Sequence, residues 1–186
     1  LTLIVDCPKP PKNLESFKAH ASCLSFELSS GQRPIFVNCG PGGAFGSAYK
    51  RYCRSTFAHN SCTLGNLSQL EYTVFSRLGR WQKEIPDMLP SLVKIERNKT
   101  LEATWLNLSH NSFETLYGFT HFRKLLLLNS GTIFTGTDSF KLTKQLRNGL
   151  DKPQYFASYF HLHPDVELWD HPRLHTIILR LKNGEH

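Results

Sequence analysis

The chain has little sulfur and no sulfur pattern. Methionine occurs once in 186 residues, and the five cysteines (Cys7, Cys23, Cys39, Cys53, Cys62) include no Cys-x-x-Cys pair. An odd, widely spaced set argues against a disulfide scaffold and against a cysteine-rich zinc knuckle. Cys23 and Cys62 fall in alternating runs and are expected to face the core. Long apolar runs are also missing: LLLL at 125–128 reads as a core strand, far short of a membrane span. The opening LTLIVDCPKPP lacks the basic leader and uninterrupted apolar run of a signal peptide. Long helical periodicity is absent, and so is a Gly-x-Ser-x-Gly elbow. GPGG at 40–43 reads as a turn, because the AFG after it does not open a helix around a phosphate. Recognised nucleic-acid-binding modules are missing too, so no nucleic-acid partner is expected.

Hydrophobic residues make up 40% and charged residues 20%, the balance of a folded globular chain rather than a disordered one. At 186 residues it is long enough for one substantial core. The net charge of +7 is unevenly spread: residues 49–99 hold nine Lys/Arg against four Asp/Glu, whereas 111–186 hold nine against seven. The excess lies around Lys50, Arg51, Arg54, Arg77, Arg80, Lys83, Lys94, Arg97 and Lys99. Such a surface attracts polyanions, or it is simply a solvated basic face.

Period-2 alternation and short apolar runs predict strands at 2–5, 23–28, 34–38, 60–64, 71–75, 91–97, 101–107, 119–128, 131–136, 154–163 and 173–181. Turns are predicted at SSGQ 29–32, GPGG 40–43, NSG 129–131 and NG 183–184. Residues 78–90 read as a loop, and 141–150 as a short helical turn or a polar excursion. Successive strands without intervening helices argue for an all-β, antiparallel fold, and the long strands suit a large β-sandwich. The chain opens directly in a strand without Met and ends after one, so we read 1–186 as a single β-sandwich domain truncated at both ends.

The stretch from Lys18 to Asn66 holds the candidate chemistry. His20 precedes a strand, Asn38 ends one, and His59 starts another. Each histidine is a potential metal ligand, general base or simply a polar residue bonded to a carbonyl. Two histidines and an oxygen donor are enough for a zinc site completed by water, although an Asn amide is a weaker ligand than a carboxylate. Arg54 has a planar fork suited to a substrate carboxylate, or to anchoring a turn on an acidic neighbour. His161 and His163 share a strand face in YFHLHPD, but Pro164 ends that strand at once and no third ligand is evident. A structural or domain-junction role suits them better.

Three ordered segments carry a resemblance: KAHASCLSFEL at 18–28, IFVNCG at 35–40 and RSTFAHN at 54–60, followed by HFRK at 121–124, GTDSF at 136–140 and FHLHPDVEL at 160–168. Together they resemble the C-terminal domain of the bacterial heparinase II/III-like polysaccharide lyases. That resemblance implies a large antiparallel β-sandwich preceded by an α/α toroid of helices, with a cleft between the two. It also implies β-elimination on uronate-containing acidic polysaccharide, with most catalytic groups supplied by the helical domain. Lys18 stands at the motif's first histidine, a cleft position that assists catalysis, and Ser22 replaces its aspartate. His20 and His59 match the histidines of a structural zinc site, and Asn38 stands where its aspartate would be. Lys50, Arg51 and Arg54 are the expected substrate cations. The alternative implied by the departures at Lys18, Ser22 and Asn38 is a non-catalytic carbohydrate-binding or envelope-associated protein. Bacterial periplasm and cytoplasm are both open.

Overall fold

The computed structural model describes residues 1–11, 16, 18–77, 81–87, 89–146, 155–171 and 175–181. The chain is an all-β, multi-sheet structure, consistent with a β-sandwich domain. Among the described residues every strand pairing is antiparallel. Strands β1 (Thr2–Val5), β2 (Phe26–Ser30) and β3 (Arg33–Phe36) form one sheet in the order β1-β2-β3. A helix α1 (Ser47–Arg54) and a 3-10 turn at Thr56–Ala58 lead into β4 (Cys62–Leu64). The hairpin β5 (Glu71–Arg77) and β6 (Trp81–Asp87) follows. Strands β7 (Val93–Lys99), β8 (Ala103–His110), β9 (Phe119–Leu128) and β10 (Phe134–Leu142) make a four-stranded meander, with a short helix α2 (Glu114–Tyr117) between β8 and β9. Strand β11 (Phe156–Ser158) pairs with β4, and β12 (Val166–His171) pairs with β13 (Thr176–Leu181).

The core lies between the three-stranded sheet and the meander. Cys23, Leu24, Phe26 and Leu28 from one side meet Leu108 and Leu125 from the other. Alternation produces this face: Phe26 and Leu28 are buried while Glu27 between them is half-buried. Along β9 the same inward face changes character, from His121 and Arg123 at one end to Leu125 at the other, all three buried. The register sets His110 opposite His121, Leu108 opposite Arg123 and Arg123 opposite Asp138. A polar end and an apolar end of one core are therefore built by the same three strands.

Three sequence expectations need correction. Residues 78–90 were expected to be a loop, yet Trp81–Asp87 is a strand paired from Asp87–Glu71 to Trp81–Arg77. Pro86 favours a loop reading, but in a two-stranded sheet both strands are edges, where a missing N–H is tolerated. The expected strand 154–163 is broken: Phe156–Ser158 pairs with β4, and Leu162 makes an isolated bridge to Phe36. The segment 47–54 forms a helix where none was foreseen, because eight residues are too few to display a stripe. The expected NG turn at 183–184 and most of 141–150 lie outside the described residues. Among the described residues no helix is long and apolar enough to cross a membrane.

Candidate functional site

Segments 16–26 and 54–61 are bound to each other almost residue by residue. Arg54 is 2% exposed; its Nε donates to the Ala19 carbonyl at 3.0 Å and its Nη2 to the Ser16 carbonyl at 3.5 Å. The guanidinium carbon lies 4.1 Å from the centre of the Tyr72 ring, a cation–π contact. The Tyr72 hydroxyl donates to the Ala19 and Arg54 carbonyls, at 3.0 Å each. Thr56 Oγ1 donates to the Ala21 carbonyl at 2.9 Å. Gln69 Nε2 donates to the Cys23 carbonyl and to Ser61 Oγ. These polar side chains are buried because they serve as hydrogen-bond partners for a loop that has no ladder of its own.

Asn60 is the joint of the assembly. It is fully buried and uses all four of its polar groups. Its backbone N–H donates to Asn38 Oδ1 at 2.8 Å, and its Nδ2 donates to the Phe26 carbonyl at 2.8 Å. Its Oδ1 accepts from the His161 backbone N–H at 2.6 Å, and its carbonyl accepts from Arg123 Nη1 at 2.7 Å. One residue thereby ties β2, the segment after β3, β9 and the 160–163 stretch together.

The structure brings His20 and His59 side by side. His20 Nδ1 and His59 Nε2 are 3.3 Å apart, and the rings meet edge-on at 5.4 Å between centroids. Burial pushes the His59 imidazole down to about 4, with repulsion from His20 and His161 adding to it. Burial likewise lowers His20, and Arg54 lowers it further. Both rings are therefore neutral at neutral pH, the form in which imidazole binds a metal. The 3.3 Å separation equals the edge of a tetrahedron whose metal–nitrogen distances are about 2.0–2.1 Å. The third position does not fit a charged site: the Asn38 oxygen is neutral and already committed to Asn60. The histidine pair suits a metal; the set as a whole lacks its carboxylate.

Lys18 is exposed, while Ser16 and Ala19 on either side of it are buried. Lys50 and Arg51 are exposed on α1, and Arg54 of the same helix is enclosed. Arg54, expected to present its fork to a substrate carboxylate, instead spends it on backbone carbonyls, buried with Cys53 in the last turn of α1. The basic tract is likewise divided among elements, with Lys94, Arg97 and Lys99 exposed on β7, an edge of the meander. Charged residues along an edge strand discourage pairing with another sheet. His161 is half-buried, its Nε2 buried without a hydrogen-bond partner among the described residues. His163 Nδ1 accepts from the Asp165 N–H at 3.2 Å and caps a turn.

Sequence reasoning passed over two groups. Asp6, at the end of β1, accepts a short hydrogen bond from Ser22 Oγ and lies close enough to His20 to interact electrostatically. Burial raises its carboxyl while the Ser22 bond opposes the rise. A carboxylate from a different strand thus stands beside the serine that replaces the motif's aspartate. The second group is the polar end of the core. Cys62, His121 and Asp138 bring ligand atoms within 4.8 Å of one another, a set that could coordinate a metal ion. Arg123 competes for the same atoms: its Nε and Nη2 hold the two Asp138 oxygens at 2.7 and 2.9 Å, and its Nη2 reaches Cys62 Sγ at 3.5 Å. His121 Nε2 bonds Asp138 at 2.8 Å and its Nδ1 faces His110 Nε2 at 3.1 Å. The strand register carries this signal, but it is visible only once β8, β9 and β10 are aligned.

A family model described as heparinase II/III-like, C-terminal, matches residues 1–186. No curated protein and no solved structure matches the chain.

Proposed function

The chain belongs to the heparinase II/III-like C-terminal family, and on that premise we propose that it is the antiparallel β-sandwich part of a polysaccharide lyase acting on uronate-containing acidic polysaccharide. The match over residues 1–186 carries this reading. The reaction is a β-elimination. A cation neutralises the uronate carboxylate and acidifies the C5 proton; a base removes that proton, and the electron pair forms the C4–C5 double bond. The C4–O bond then breaks, and an acid protonates the departing oxygen.

In this proposal the buried assembly of Arg54, Thr56, His59 and Asn60 is the support, and Lys18 is the group it presents. Lys18 is exposed on a loop whose neighbours are held by Arg54 and Thr56. It supplies a cation for the uronate carboxylate, while base and acid come from an α/α toroid domain of the same protein. Lys50 and Arg51, exposed on α1, extend the cationic surface for the polymer. Arg54 acts as a positioning residue. A structural zinc would be held by ring nitrogens of His20 and His59, without a carboxylate at Asn38.

A second reading has a specific observation behind it. Lysine and serine stand at the motif's histidine and aspartate positions, Lys18 and Ser22, as they would in a carbohydrate-binding protein that kept the fold without the chemistry. The full-length protein, given a panel of uronate polysaccharides, separates the two by ultraviolet absorbance of C4–C5 unsaturation. Rising absorbance with one polymer, lost in Lys18→Ala and reduced in Lys18→Arg, supports the lyase. Binding without absorbance supports the second reading, and neither binding nor absorbance defeats both.

A further inference from the structure

Resting on the lyase reading above, we infer that α1 and the turn before it form a stacking platform for an acidic oligosaccharide. Phe45, Tyr49 and Tyr52 are its sugar-facing rings, and Lys50 and Arg51 are its carboxylate contacts. The three rings stand in solvent at 77%, 45% and 47% exposure. They form a row: Phe45 and Tyr49 have centroids 5.1 Å apart, and Tyr49 and Tyr52 6.3 Å. Tyr49 and Tyr52 are three residues apart and so share a helix face, while Cys53 and Arg54 in the last turn are buried. A contiguous row of exposed rings marks an interaction surface.

The platform is packed against its own turn and tied to the rest of the domain. Gly42 adopts φ of 66°, and a Cβ there would come within 2.7 Å of Cys53 Sγ. The glycine lets the turn that carries Phe45 press against the helix that carries Tyr49. Buried Arg54 then fastens the helix to the 16–19 segment beside Lys18. The row continues past α1: the Tyr52 hydroxyl reaches the Phe57 carbonyl at 3.5 Å, Phe57 meets Tyr159 edge-on at 5.6 Å, and Tyr159 stacks over His161 at 6.4 Å. A chain of sugars laid along the rings would run toward the histidine pair.

Charge selects the occupant. No Asp or Glu occurs between Glu27 and Glu71, so the two cations of the platform belong to a segment free of carboxylates. Aromatic faces take the C–H faces of pyranose rings, and because Phe45 and Tyr49 meet edge-on at 67° and Tyr49 and Tyr52 are tilted by 41°, the three rings offer successive inclined faces rather than one flat one. Lys50 and Arg51 then pair with ring carboxylates. An aliphatic protein contact would use neither feature.

Calorimetric titration of the full-length protein with unsulfated hexasaccharides of alginate, hyaluronan and heparosan tests the platform. We expect Tyr49→Ala/Tyr52→Ala to weaken the hexasaccharide bound by the wild type about tenfold or more, with little change for the matching disaccharide and an unchanged melting temperature. Lys50→Gln/Arg51→Gln should flatten the salt dependence of binding. Unchanged hexasaccharide affinity in the tyrosine variant overturns the platform and leaves the lyase reading standing. A lower melting temperature with unchanged affinity also overturns it, and assigns the face to contact with protein. No binding of any hexasaccharide by the wild type overturns both.

Discussion

Arg54 and Arg123 are both enclosed, and each is held differently. Arg54 gives its donors to neutral carbonyls and rests on an aromatic ring. A guanidinium so placed joins Tyr72 and Thr56 in fixing the 16–21 backbone, so its removal should be felt in folding. Arg54→Ala is expected to cost about 3 kcal/mol in chemical denaturation, since it removes two buried hydrogen bonds and the cation–π contact with Tyr72 and leaves a cavity. Glycan affinity measured on the remaining folded protein should change little. Lost affinity with an unshifted denaturation midpoint would return Arg54 to the substrate. The sequence showed Arg54 near other basic residues, and proximity in sequence suggested a shared surface. They part along α1 instead: Lys50 and Arg51 are exposed, and Arg54, its last residue, is buried. Cys23 and Cys62 are both buried, as their apolar surroundings in the sequence suggest, but not through alternation: Cys23 lies in the turn before β2, and all three residues of β4 are buried. Asp6 was not legible, since only tertiary pairing brings it to Ser22.

At the scale of the element, β9 has the bounds its alternation predicts, 119–128, yet nothing in that pattern announces an ion pair inside it. Lone polar residues in an apolar strand acquire meaning only from their cross-strand partners, Asp138 for Arg123 and His110 for His121. Arg123 is 1% exposed and donates through both faces of its fork, to Asp138 on one side and to the Leu24 and Asn60 carbonyls on the other. Leu24, whose carbonyl it holds, sits at φ of 61°, a conformation a leucine rarely adopts. Asp138→Asn leaves this cation without its counter-charge and should destabilise by about 3–5 kcal/mol. Arg123→Met combined with Asp138→Asn should recover part of that loss, and a double-mutant cycle measures the coupling. A coupling near zero would mean the pair is incidental to the meander. Because Arg123 already occupies both Asp138 oxygens, metal content measured by mass spectrometry should be the same in Cys62→Ser as in the wild type. A lower content in Cys62→Ser would place a metal in that cluster.

At the scale of the molecule, antiparallel β architecture was legible because alternation and turn residues are local signals, whereas the division into sheets is not. Which strands pair depends on contacts such as Asn60 to His161, across 101 residues of chain. Those same contacts set the response of the whole fold to acid. His20, His59, His110, His121 and His161 all have imidazoles shifted below their ordinary value, in each case chiefly by burial. A group whose folded value is lower than its unfolded value takes up its proton more readily in the unfolded chain. Stability therefore rises with pH through the window between the two values, is fully present above about 6.5, and is lost as pH falls toward the folded value. For His59 the window runs from the ordinary 6.5 down to about 4, on the order of 3 kcal/mol. Asp138, held well below the usual carboxylate range by His121 and Arg123 against the opposing effect of burial, adds its own loss only at lower pH. Denaturation midpoints between pH 7 and pH 4 should fall well before carboxylates titrate. His59→Gln should be less stable than the wild type at pH 7 and lose less on acidification, because its buried amide takes up no proton. If wild type and His59→Gln lose stability in parallel between pH 6.5 and pH 4, His59 is not a group that acid must charge, and the neutral histidine pair at the centre of the site is wrongly described.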